Sequence, residues 1–315
     1  MTTGDDQTHG HLMRWATYAS TATAGLLIAV KLAAWVATDS VALLSTLIDS
    51  TLDLAASLIN LMAVRQSLQP ADAEHRFGHG KAEALAGLGQ AAFIVGSGGL
   101  LLIQASGRLA HPEPIAHGEW GIAVMLFSIV ATVALVVYQR SVIARTGSLA
   151  ISADSLHYVG DVMINLSVIV SLLLSMGPGW VIADPLFAIA IAGWLLINAW
   201  QIMRGSLDTL MDHELPEEAR TRILAIADSH PEVLSHHDLR TRTSGRQGFI
   251  QLHLELPADL PLVQAHRIAD EVETAILKEF PHFEVIIHED PAGAGEERPS
   301  FDITPPGSQE PSPTP

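Results

Sequence analysis

Residues 41–63 read VALLSTLIDSTLDLAASLINLMA, and residues 149–175 read LAISADSLHYVGDVMINLSVIVSLLLS. Each is long and apolar enough to cross a bilayer as a helix, which takes about 20 mostly apolar residues. Yet each carries acidic groups within the run. Asp49 and Asp53 are four apart in the first stretch, and His157 and Asp161 are four apart in the second. Positions i and i+4 project from one face of a helix, so each stretch presents a pair of metal-ligating side chains in one direction. Ser45, Ser57 and Asn60 extend the first polar stripe, as Asp154 and Asn165 extend the second.

An ionised side chain at the bilayer centre costs several kcal/mol, about 3 on insertion scales. Three carboxylates there demand compensating positive charge. Lys31 lies in another apolar run, but its long stem reads as snorkelling to the interface beyond Ser40, leaving no Arg or Lys at matching depth. A divalent cation fits the requirement: three carboxylate oxygens and one imidazole nitrogen make a tetrahedral set suited to Zn2+. Cd2+ and Fe2+ are tolerated by the same ligand types. The competing reading is a set of protonated or water-linked groups that tie two helices together, at about 1 kcal/mol per hydrogen bond. Asp154 reads either as a partner orienting His157 or as a solvated residue at the mouth of the bundle.

Working outward, apolar runs at 15–37, 84–106, 119–139 and 180–202 bring the expected spans to six. The first is longer than the apolar region of a cleaved signal peptide and is expected to be a true span. Arg14, Arg65, Arg76, Lys81, Arg140, Arg145 and Arg204 fall on one side of this arrangement and Arg108 on the other, which puts both termini in the cytoplasm. The net charge of −17 argues against nucleic acid as a partner. With no cysteine in the chain, any metal must be held by His, Asp and Glu.

Four segments are expected: a cytoplasmic stretch 1–14, a six-helix membrane domain 15–209, a soluble domain 210–292 and a disordered tail 293–315. In the soluble part, Pro216, Glu217 and Glu218 open a helix running to about Ala227. A strand follows near His237–Thr243, and after a turn at 244–248 Ile250, Leu252 and Leu254 alternate with polar residues as a half-buried strand does. A helix Leu262–Lys278 and a strand Val285–His288 complete an α-β-β-α-β order, a small α+β domain. The tail is too rich in Gly, Pro, Ser and Glu to bury a core.

Two more groups of ligand-type residues lie outside the spans. Asp72, His75 and His79 sit in the loop PADAEHRFGHGKAEAL, where Gly78 and Gly80 require the loop to fold back if the three are to meet. His237, His253, His266, His288 and Asp290 are spread over the strands and second helix of the soluble domain. His253 is on the polar face of its strand, while His288 is equally compatible with a core position. Both groups also fit ordinary surface histidines.

The segments LIDSTLDL, SLQPADAEHRFGHGKAEAL, ADSLHYVGD, HDLRTR, FIQLHLEL, LVQAHRIAD and VIIHEDP, in that order from about residue 15 to 291, resemble the cation diffusion facilitators, particularly the bacterial zinc and iron efflux members. The resemblance implies a mainly α membrane protein with six transmembrane helices and a metallochaperone-like cytoplasmic domain. It implies an inner-membrane Zn2+/H+ antiporter working as a homodimer by alternating access, with zinc both transported and regulatory. Asp49, Asp53, His157 and Asp161 become the transport site, Asp72, His75 and His79 a loop site, and His237, His253, His266, His288 and Asp290 the cytoplasmic sites. Glu289 stands where close relatives often carry an amide. Lys81 and Asp212 are implied as an inter-subunit ion pair. The alternative is a membrane-anchored sensor or storage module that binds metal without flux. An intramembrane metalloenzyme would need a base beside an open metal position, as in HExxH, and no such motif occurs.

Overall fold

The computed structural model describes residues 3–39, 41–110, 119–175 and 182–293. The expected disordered tail, apart from Gly293, lies outside the described residues, as does Ser40. The chain divides into two compact units, the first comprising residues up to His213 together with Ser244–Arg246, the second Glu214–Thr243 and the residues from Gln247 onward.

The first unit is built from α1 (Thr3–Thr38), α2 (Val41–Ser67), α3 (Lys81–Ala110), α4 (Glu119–Thr146), α5 (Leu149–Ser175) and α6 (Ala183–Leu210). The polar segment 1–14, expected to precede the first span, is from Thr3 onward part of α1 itself. With 36 residues, α1 is about 54 Å long at 1.5 Å per residue, well beyond a hydrocarbon layer of about 30 Å. Similarly, α6 continues past residue 202 to Leu210.

Among the described residues, five helices are long and apolar enough to cross a membrane: α1, α2, α3, α4 and α6. The exception, α5, carries the Asp154, His157, Asp161 and Asn165 stripe. Large apolar side chains such as Val36, Ile59, Ile103, Val130 and Ile197 point outward, as lipid rather than water requires. Inside, α3 pairs most extensively with α6, and α1 packs on α2 and α4. Small residues permit the first contact: Ala84, Gly87, Ala91 and Gly98 form a buried face on α3. A Cβ added at Gly87 would come within 2.8 Å of Ser206 Oγ, so the close approach of α3 and α6 depends on that glycine.

The second unit contains α7 (Glu217–Asp228), β1 (Ser235–Ser244), β2 (Gln247–Leu256), α8 (Leu262–Glu279) and β3 (Phe283–Pro291), the expected α-β-β-α-β order. The sheet order is β1-β2-β3, with β2 and β3 parallel. Ile250, Leu252 and Leu254 of β2 are all buried, as their alternation predicts, against Ile268, Val272 and Ile276 of α8 and Ile223 of α7. Each such side chain contributes about 1.5–3 kcal/mol on burial. Strands β1 and β3 run further than the apolar pattern indicates, because backbone pairing with β2 continues through polar residues. Gly245 turns the β1–β2 connection with a φ of 62°. At the start of β2, a Cβ on Gly248 would collide with the Phe283 ring of its partner strand.

Candidate metal sites

Among the described residues, three groups of His and Asp bring one ligand atom each within 4.8 Å of one another: Asp53, His157 and Asp161; Asp72, His75 and His79; and His237, His253 and Asp290.

The first lies between α2 and α5. His157 Nε2 is 2.9 Å from Asp53 Oδ1 and 3.8 Å from Asp161 Oδ2. His157 is buried, and its ring meets Phe93 of α3 edge-on at 5.7 Å and lies 5.6 Å from that of Tyr158. With its proton on Nε2, the imidazole donates to Asp53; with that proton gone, the same lone pair is available to a cation. Asp49 shares the helical face of Asp53 but is exposed and stands outside the group. Ser57 and Asn60 of the polar stripe tie helices together. Ser57 Oγ is 2.9 Å from Tyr158 Oη and 3.1 Å from Ser20 Oγ of α1, and Asn60 Nδ2 donates to the Ala150 carbonyl. Asn165 donates to the Asp161 carbonyl of its own helix.

Two readings require correction. Asp154 is no solvated mouth residue: it is fully buried and accepts a 2.7 Å hydrogen bond from Gln139 Nε2 of α4. Lys31 does not snorkel along α1 toward the interface. Its Nζ crosses to α2, donating to Ser50 Oγ at 2.6 Å and to the Thr46 carbonyl at 3.2 Å. A positive charge therefore does stand beside the acidic face, because the flexible four-carbon stem reaches oxygen acceptors on the neighbouring helix. The signal available in the sequence was the presence of a lone lysine in a span facing a span with two aspartates.

In the loop, the chain folds back on itself as convergence requires. Asp72 Oδ1 accepts the backbone N–H groups of His75 at 2.7 Å and Glu74 at 2.9 Å. His79 Nε2 lies 3.4 Å from Asp72 Oδ2, and the two imidazole rings are 4.5 Å apart. Gly78, at φ 74°, reverses the backbone between them. The N–H of His75 above all, with that of Glu74, holds the Asp72 carboxyl below the usual carboxylate range. Lys81 Nζ meets Asp212 Oδ1 at 2.9 Å within the chain.

In the second unit, Asp290 of β3 gathers the histidines. His253 Nδ1 is 2.9 Å from Asp290 Oδ2, His237 Nε2 3.3 Å from the same oxygen, and His288 Nε2 3.2 Å from Oδ1. His288 is no core residue, its side chain being 59% exposed. His266 stays apart on α8, facing Asp270 one turn on at 3.6 Å. Imidazole and carboxylate donors at these separations fit a borderline divalent ion such as Zn2+.

Residues 17–211 match the cation efflux transmembrane domain, and residues 215–292 match the cytoplasmic domain of cation efflux proteins. The cation-efflux pump FieF of Klebsiella pneumoniae is 48% identical over 287 residues, covering 91% of this chain and 95% of the relative. The pump of the same name from Citrobacter koseri is 48% identical over 286 residues, with the same shares covered. A solved chain of the zinc transporter candidate CzrB, in its Zn form, is 37% identical, covers 27% of this chain and 98% of its own length, and has a TM-score of 0.26. Apolar helices, a polar cluster among them and relatives matched over nearly their whole length agree: the chain belongs to the cation efflux family and is a membrane cation efflux transporter, not an enzyme.

Proposed function

We propose that the chain exports Zn2+ from the cytoplasm in exchange for protons, as a homodimer in a bacterial inner membrane with both termini cytoplasmic. The observation that carries this reading is His157 Nε2 set between the carboxylates of Asp53 and Asp161. One position serves a proton or a divalent cation, and binding the second requires release of the first. Facing the cytoplasm, the deprotonated set takes the cation, with Asp49 from the same face of α2 as fourth ligand. Facing outward, protons return to the imidazole and a carboxylate and displace the metal. An imidazole, with an ordinary pKa of about 6.5, is the ligand best suited to that switch.

The loop and soluble-domain groups bind regulatory zinc in this reading, and the match to the family's cytoplasmic domain supports dimerisation through that unit. The test is reconstitution of the purified full chain with entrapped zinc and pH indicators. An inward zinc gradient should drive proton movement the opposite way, with membrane voltage clamped. Zinc flux without proton counterflow at any pH would leave a uniporter. Zinc binding without flux would leave a sensor or storage module.

A further inference from the structure

Lys31 has no part in the ligand set, yet its placement is specific. Thr46, Asp49, Ser50 and Asp53 are spaced three and four apart and share one face of α2. The Lys31 ammonium is fastened to that face through Ser50 Oγ and the Thr46 carbonyl, and Ser50 is buried. In a medium of low dielectric constant, net charge dominates the energetics of a cluster. Three carboxylates and one divalent cation sum to one negative charge; adding Lys31 brings the sum to zero. With two protons in place of the cation, the sum is again zero.

We propose that Lys31 is the fixed positive charge of the transport site, balancing the cation-loaded state so that a divalent ion is held without being trapped. The inference rests on the transport-site reading above. Because both loaded states are neutral, a divalent ion and a proton pair are interchangeable there, whereas a single monovalent ion leaves one negative charge uncompensated. Removing the lysine charge removes a repulsion from the bound metal, so binding tightens and release slows.

The experiment measures initial zinc flux against zinc concentration for the full chain in proteoliposomes. Lys31→Gln keeps a hydrogen-bond donor for Ser50 and loses the charge; Lys31→Met loses both; Lys31→Arg keeps both. Both neutral variants should show KM and kcat lowered together, each by about tenfold, with Lys31→Arg close to wild type. Wild-type kinetics in Lys31→Gln, or a raised KM at unchanged kcat, would overturn the proposal by reducing the lysine to a helix tether. Aggregation of both neutral variants on size exclusion would do the same. Asp53→Ala runs in parallel: if it transports normally, the transport-site reading fails and takes the proposal with it. Abolished flux in Asp53→Ala with unchanged Lys31→Gln defeats the Lys31 proposal alone.

Discussion

The group between α2 and α5 and the group in the loop before α3 use the same side chains, imidazole and carboxylate, at similar separations. Their surroundings differ. The His157 side chain is 10% exposed, whereas in the loop those of His75 and Asp72 are 56% and 51% exposed and His79 alone is buried. An exposed ligand lost from the loop, such as His75, is replaced by water at little cost. One lost between membrane helices has few substitutes, and the polar partners it leaves behind remain desolvated. Burial, rather than ligand identity, is what distinguishes most of the loop ligands from His157.

The sharpest way to break this contrast is to delete one ligand from each. Asp53→Ala should reduce zinc flux to background while the protein stays folded, and His75→Ala should leave substantial flux; equal losses would erase the distinction. A less drastic change, His157→Asp, should preserve four ligands, shift preference toward oxygen-preferring ions such as Mn2+ and alter the pH dependence. Competition fluxes with both metals read this directly. Residues 210–292 alone should fold and bind zinc, and calorimetry showing a folded fragment without binding would remove the regulatory role.

At the loop, Asp72 should go on binding zinc as an ionised carboxylate down to the ordinary carboxylate value of about 3.9. Since its folded-state pKa is depressed, Asp72 favours the folded loop above the ordinary carboxylate value of about 3.9, and loses that contribution as pH falls further. An Asp72 carboxyl that titrated at or above that ordinary value, followed by NMR across a pH series, would contradict this. The smallest effect should come from Lys81→Ala. This half-exposed ion pair is worth less than about 1 kcal/mol, measurable by thermal denaturation.

Much of this arrangement was legible in the sequence, because helical period and strand alternation are local. The i,i+4 spacing of Asp49 with Asp53 and His157 with Asp161 announced a shared face, and Ile250, Leu252 and Leu254 announced the buried side of β2. Rotation of one helix against another is not local. Spacing alone made Asp49 and Asp53 equivalent, whereas the packing of α2 on α5 brings only Asp53 to His157. The same limit concealed Gln139 as the partner of Asp154, and Lys31 as a cross-helix donor. His288 was ambiguous because a parallel strand at a sheet edge offers no alternation to read; register with His253 turns it toward Asp290.

That register has a mechanical consequence. His237, His253 and Asp290 come from β1, β2 and β3 respectively, so one ion held by all three would be a cross-link through every strand of the sheet. It would close a chain segment from residue 237 to residue 290, restricting the unfolded chain as a covalent bridge does. Strand β3, paired with β2 and otherwise free to fray at its end, would then open only when the ion leaves. Amide exchange along β3 would thus become a gauge of metal occupancy, slowing with each increment of zinc while the α7 and α8 amides, which carry no ligand of this group, changed less.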